Sequence, residues 1–222
     1  MIIGRLFRWM KSRSIKEDNA ITASFLEYNP AAVFLDIGCG DGRRTERWAE
    51  YIGTPNIFGI DAKNFGQPFN FTEGDLDKGL PFGTASFDVV VSHHVIEHVK
   101  DTDLFTSEIF RVLKSGGYAV ITTPNLASGK VIAELLINRQ PLWACVSDQF
   151  FVRGFTDELL EKGRGFLHRR LFTMDGLTSL LQYYGFRIEQ KRRHGYGVLF
   201  FGKILGGLYA ANLSVKVKKE ME

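Results

Sequence analysis

Residues 33–42 read Val-Phe-Leu-Asp-Ile-Gly-Cys-Gly-Asp-Gly, and this stretch decides the fold. Val33 to Ile37 is a short apolar run of the kind that forms a buried parallel strand. Gly38, Gly40 and Gly42 follow at alternate positions. Glycine there accepts a positive φ and lets a ligand approach bare backbone. From Asp41 to Tyr51 the pattern turns helical, with Trp48, Ala49 and Ile52 toward the core. Strand, glycine turn and helix N-terminus together make a cradle for a nucleoside-type ligand at the strand's end. The spacing departs from G-x-G-x-x-G, which argues against a nicotinamide enzyme.

The chain continues in the order such a cradle requires. Asn56 to Ile60 reads as a second strand and ends in Asp61, placed to accept hydrogen bonds from two ribose hydroxyls or, more plainly, to cap a loop. In Glu73-Gly74-Asp75-Leu76, Asp75 ends a third strand and can accept from an exocyclic adenine amine, while Leu76 can cover the base. Ser86 to Ser92 is a fourth strand, followed by His93-His94-Val95-Ile96-Glu97-His98-Val99. Leu113-Lys114-Ser115-Gly116-Gly117 ends a helix with a glycine turn, and Tyr118 to Thr123 is a fifth strand. Beyond Thr123-Pro124-Asn125-Leu126-Ala127-Ser128, roughly 45 residues precede the next clear helix, longer than a plain connection. They include Gln140-Pro141-Leu142-Trp143 and Val146-Ser147, and are expected to form short helices that roof the site. Thr173 is a suitable N-cap for a helix over Met174 to Tyr184, with Gly185 at its C-terminus. Phe186 to Lys191 and Leu213 to Lys218 read as the last two strands, and Ile15 to Tyr28 as a helix before the first.

These segments resemble the class I S-adenosylmethionine-dependent methyltransferases. The likeness rests on Leu35 to Gly42, Gly59-Ile60-Asp61, Gly74-Asp75-Leu76, Phe87 to Ser92, Ile96-Glu97-His98-Val99 and Leu113 to Gly117, and covers about residues 30–125. It implies an α/β fold: a Rossmann-like, doubly wound seven-stranded sheet, mostly parallel with an antiparallel last strand, and a helical roof inserted after strand five. It implies S-adenosyl-L-methionine as cofactor and S-adenosyl-L-homocysteine as product. By the same resemblance Gly38, Cys39, Gly40 and Gly42 hold the methionine part, and Asp36 orders its amino group. Asp61 and Ala62 meet the ribose, Asp75 and Leu76 meet the adenine, and Ser92 and His93 border the site.

The chemistry asks for a nucleophile in line with the departing sulfur, and a hydroxyl nucleophile also needs a general base. His94 is the first candidate, His98 the second, and His168 can reach in from the roof. The alternative for His98, and for Glu97, is packing or positioning without proton transfer. Arg169 and Arg170 suit an anionic group on the acceptor, or simply solvated charge. Thr-Pro-Asn-Leu-Ala-Ser, His168-Arg169-Arg170-Leu171-Phe172-Thr173 and Tyr184-Gly185-Phe186 resemble methyltransferases of surface-glycan or lipopolysaccharide synthesis, and in part those of quinone precursors. Asn125 and Thr173 have a plainer reading as turn and cap. The leading expectation is O-methylation of a sugar in a glycan, nucleotide sugar or lipid-linked intermediate. The alternatives are a small-molecule methyltransferase of quinone or natural-product type, and a non-catalytic cofactor-binding partner protein. Ser92-His93-His94-Val95 stands where a nucleic-acid enzyme would carry Asn/Asp-Pro-Pro-Tyr/Phe, so no nucleic-acid acceptor is expected.

At 222 residues and 45% hydrophobic, the chain fits one domain. The expected parts are residues 1–29, a helical segment; 30–124, the cofactor core; 125–172, the substrate-side insertion; and 173–222, helix and strands. Cys39 and Cys145 have no metal-binding or redox spacing and read as reduced thiols of a cytoplasmic protein, Cys39 as a small packing residue; no metal is expected. No cleavable signal peptide is expected either. The net charge of +3 is uneven: residues 1–16 carry +5, residues 187–222 another +5, and the body −7. Basic ends on an acidic body suit an anionic surface better than a duplex groove. Ile2, Ile3, Leu6, Phe7 and Met10 lie at helical spacing among those bases, so this segment either lies on a membrane at its inner face or packs over the cofactor site. Residues 195–212 form an apolar insertion around Lys203, whose glycines argue against a span. It is expected to pack on the domain, pair with a second copy in a homodimer, or touch a lipid substrate.

Overall fold

The structure, a computed structural model, describes residues 17–141, 144–145, 168–195 and 210–221. Strands β1 (Phe34–Ile37), β2 (Ile57–Asp61), β3 (Asn70–Glu73), β4 (Phe87–His93), β5 (Leu113–Pro124), β6 (Phe186–His194) and β7 (Asn212–Lys219) form one sheet. Their order is β3-β2-β1-β4-β5-β7-β6. The pairs from β3 to β5 are parallel, and β7 runs antiparallel between β5 and β6. This is the doubly wound sheet expected from the sequence. The chain reverses direction across the sheet between β1 and β4, which opens a crevice at their C-terminal ends, where ligands bind in such folds.

All four residues of β1 are buried, as a strand covered on both faces must be. Helices α1 (residues 17–24) and α2 (Arg43–Ile52) cover one face. There Phe25, Trp48, Ala49 and Ile52 pack on Phe34, Val89, Val91, Tyr118 and Val120. Helices α3 (Thr102–Val112) and α5 (Met174–Tyr183) cover the other, where Phe105, Ile109, Leu177 and Leu181 meet Leu35, Val90, Ile121 and Val215. Helix α4 (Gly129–Leu136), capped by Ser128, lies in the segment expected to roof the site and buries Val131 and Glu134.

Three local expectations change. The helix before β1 stops at residue 24 rather than Tyr28, because amides of Phe25 and Leu26 bond to Thr22 and Ala23 carbonyls in a tightened last turn. The glycine turn at Lys114–Gly117 lies within β5 as a bulge: Phe87 pairs with Leu113, yet Val89 already pairs with Tyr118. Asp75 lies beyond β3 and caps a 3₁₀ turn, Leu76–Lys78, through the Asp77 amide. The expectations for residues 1–16, Leu142-Trp143, Val146-Ser147 and the apolar stretch 196–209 lie outside the described residues. No helix among the described residues is long and apolar enough to cross a membrane.

Candidate active site

The turn after β1 is shaped by its glycines. Gly38 has φ +74, and a Cβ there would sit 2.4 Å from Val95 Cγ2. Gly40 has φ +55 and open space where its Cβ would point. Backbone at Gly40 is thus accessible to a ligand, which is what a nucleoside cradle requires. Asp61 at the end of β2 accepts the Gly40 N–H at 2.9 Å, and Gln67 Nε2 donates to the Gly40 carbonyl at 2.6 Å. The second-strand acid and the glycine turn therefore form one wall. Ala62 and Asp75 are exposed at the same strand ends, and Leu76 is half-buried against the core.

Beneath the turn, Asp36 is fully enclosed. Burial pushes its pKa up to about 7, against a hydrogen bond from Thr45 Oγ1 at 2.5 Å. Burial likewise pushes the Cys39 thiol up to about 12, which leaves it an inert packing group in the crowded turn. Ser92 is buried, and its Oγ has no hydrogen-bond partner among the described residues.

After β4 the chain enters a dense polar cluster. His94 has φ +57, a left-handed backbone, and its amide donates to the Thr122 carbonyl at 2.9 Å. Its Nε2 lies 2.8 Å from Asp18 Oδ2 and its Nδ1 lies 3.1 Å from Glu97 Oε1. Burial opposes a charge on this ring, but the two carboxylates outweigh it and push its pKa up to about 10. With both nitrogens on carboxylates, His94 holds a proton rather than taking one. His93 meets His94 edge-on and faces the same Asp18 oxygen, its Nε2 3.3 Å away. Its ring is buried against Trp48, centroids 5.3 Å apart, and burial lowers its pKa to about 4.

Glu97 is fully buried and joins the parts. Burial opposes its ionisation, yet the hydrogen bond and charge of His94 hold its pKa below the ordinary value. Its Oε2 accepts from Thr123 Oγ1 at 3.0 Å, and its carbonyl accepts the amides of Arg169 and Arg170. That backbone contact brings His168 to the site, where it meets His98 edge-on at 4.9 Å between ring centroids. Burial lowers the His168 pKa to about 4, so the ring is neutral near pH 7. His98 is about one-third exposed, with Nε2 4.0 Å from Glu97 Oε1. Arg170 donates to the Lys100 carbonyl at 3.2 Å. Asn125 is taken up by the Ala210 carbonyl and the Ala127 amide, and Thr173 caps α5, so both are turn and cap residues. The sequence reading missed Asp18, Thr22, Thr122, Thr123, Ser214 and His194, all buried in this region.

Residues 35–121 match the methyltransferase domain family. A probable S-adenosylmethionine-dependent methyltransferase of Mycolicibacterium smegmatis is 37% identical over 98 residues, covering 41% of this chain and 37% of that protein. The ubiquinone biosynthesis O-methyltransferase of Brucella ovis is 35% identical over 103 residues, 41% of each chain. The chain thus spans about two fifths of the length of these curated relatives. Among solved structures, a Burkholderia thailandensis 1,6-didemethyltoxoflavin-N1-methyltransferase with bound S-adenosylhomocysteine superposes with a TM-score of 0.61 at 18% identity, over 96% of this chain and 80% of that one. The fold is thus shared with solved S-adenosylmethionine-dependent methyltransferases, and residues 35–121 match the methyltransferase domain model.

Proposed function

We propose that the chain is an S-adenosylmethionine-dependent O-methyltransferase acting on a hydroxyl of a small molecule of the quinone or natural-product type. The observation that carries this is the His98–Glu97 pair in the segment after β4, whose Val95 packs on Gly38 of a glycine cradle with open space at Gly40. Bound there, the cofactor supplies an electrophilic methyl group. Gly38 and Gly40 would hold its methionine part over Asp36, Asp61 its ribose, and Asp75 with Leu76 its adenine. The open space at Gly40 and the enclosed acid at Asp36 fit that placement.

The protein's own residues then orient the acceptor and remove its proton. His98, partly exposed, takes the hydroxyl proton, and Glu97 stabilises the resulting imidazolium. His94, already protonated between Asp18 and Glu97, positions that carboxylate instead of acting as base. His168 flanks His98 as a neutral ring. Holding donor and acceptor in a near-attack geometry contributes on the order of 7–11 kcal/mol to such reactions. The acceptor class draws support from the ubiquinone O-methyltransferase relatives. Asn125 and Thr173, two of the residues behind the sugar-acceptor expectation, are occupied by turn and cap.

The test is transfer of labelled methyl into a fractionated cell extract by wild type and His98→Gln. Label among quinones or small aromatics, reduced by roughly 100-fold or more in His98→Gln at unchanged cofactor affinity, is the expected result. Label in a sugar fraction would replace the acceptor class. No label from protein that binds the cofactor would favour a non-catalytic partner.

A further inference from the structure

Helix α1 sends Asp18 and Thr22 into a closed polar ring with His93 of β4, Thr122 of β5, Ser214 of β7 and His194 of β6. All six residues are buried. Each hydroxyl has one proton, so the donors can be counted around the ring. The Thr22 hydroxyl donates to the Asp18 carbonyl at 3.2 Å. Its oxygen therefore accepts from His93 Nδ1–H at 3.3 Å and from the Thr122 hydroxyl at 3.4 Å. Thr122 must then accept from Ser214, and Ser214 from His194 Nε2–H, each at 2.9 Å.

With both rings neutral, as burial favours, the count leaves bare lone pairs on His93 Nε2 and His194 Nδ1, and both face the Asp18 carboxylate. They lie 3.3 Å from Oδ2 and 3.4 Å from Oδ1. Asp18 Oδ1 and His194 Nδ1 have no hydrogen-bond partner among the described residues. Buried acceptors turned on one another are unfavourable unless something positive lies between them.

We infer that Asp18, His93 and His94 bind one divalent transition-metal ion beneath helix α1, with His194 as the adjoining donor. The donor atoms of the first three lie within 4.8 Å of one another. The Asp18 oxygen is 2.8 Å from His94 Nε2 and 3.3 Å from His93 Nε2. Ligand atoms around a tetrahedral zinc ion lie roughly 3.3–3.5 Å apart, so small adjustments suffice. Imidazole with carboxylate suits zinc and its first-row neighbours. The outer contacts also have the form metal ligands take: Thr22 orients His93, Ser214 orients His194, and Glu97 accepts from His94 Nδ1 at 3.1 Å. The ion would stand where a proton otherwise joins His94 to Asp18, and would clamp α1 to the ends of β4 and β6. No sequence spacing announces it, because Asp18 and His194 lie far along the chain from the adjacent His93 and His94.

The experiment strips the full-length protein with a chelator and titrates it with Co²⁺, following visible absorption, then displaces Co²⁺ with Zn²⁺. One equivalent with a four- or five-coordinate spectrum is expected, with at least a tenfold loss of affinity in Asp18→Asn and His93→Gln and little change in His168→Gln. Wild-type protein that takes up no Co²⁺ would overturn the inference without recourse to variants. So would one equivalent lost in His168→Gln but kept in Asp18→Asn, which would place the ion at the neighbouring Glu97, His98 and His168.

Discussion

At the residue scale, Asp36 shows how burial turns a common side chain into a pH-dependent one. Enclosure beneath the glycine turn raises its pKa from 3.8 to about 7, despite the Thr45 hydroxyl. The folded chain therefore holds a proton that the unfolded chain has already lost. This contribution to stability is fully present below pH 3.8 and is lost as pH rises through about 7. Its size is on the order of a few kcal/mol, at about 1.4 kcal/mol per pH unit. Asp36→Asn keeps an acceptor for Thr45 and removes the titration. Urea midpoints measured from pH 4 to pH 8 should fall less steeply for Asp36→Asn than for wild type, and the variant should be the more stable at pH 8. Parallel curves would show that the carboxyl is ionised in the folded protein throughout. The position of Asp36 was legible because a short apolar strand followed by glycines is a local pattern. Its protonation was not, because burial depends on what the rest of the chain lays over it.

At the element scale, β7 is the strand whose sequence conflicts most with its place. It lies between β5 and β6, yet carries a lysine that is 2% exposed. Lys216 is held by ion pairs to Glu27 and Glu189 and sits 4.3 Å over the Tyr118 ring. Its long stem fills core volume while its charge meets two acids and a ring face. Lys216→Ala should cost about 2–4 kcal/mol, through the cavity and the lost packing. Glu27→Gln should cost at most about 1 kcal/mol, because Glu27 is largely exposed and Glu189 remains. Equal losses in thermal unfolding would mean that the ion pair, not the packed stem, dominates. Alternation from Leu213 to Lys218 was enough to mark this strand. Its insertion between β5 and β6 is a long-range pairing that no local period encodes; the resemblance implied only that the last strand is antiparallel. The bulge at Lys114–Gly117 was half legible: the glycines signalled a turn, but the pairing that keeps those residues within β5 is set by β4.

At the scale of the whole molecule, the strand order gathers the C-terminal ends of β1, β2 and β4, and α1 reaches the ends of β4, β5 and β6 through Asp18 and Thr22. The proposed cofactor wall could be read in order because its residues sit at strand ends: Gly38 and Gly40 after β1, Asp61 closing β2 and Asp75 after β3. The polar ring could not, since Asp18 and His94 are 76 positions apart and the remaining partners lie on β5, β6 and β7. The helix before β1 was expected, but nothing in its local pattern marks Asp18 and Thr22 as more than polar positions on it. The structure makes α1 part of the core: Phe25 just beyond it is 2% exposed and packs with Trp48 and Ile52, and the Asp18 carboxylate is the hub of three histidines. A chain beginning at residue 26 should therefore lose at least about 3 kcal/mol, the cost of deleting one large buried aromatic alone. It should also lose the Asp18 partner that, with Glu97, keeps His94 protonated, which would weaken the positioning of Glu97 for His98. An unfolding midpoint unchanged by the truncation would mean that α1 only rests on the surface. A lowered midpoint with intact methyl transfer would separate its structural role from any part in the reaction.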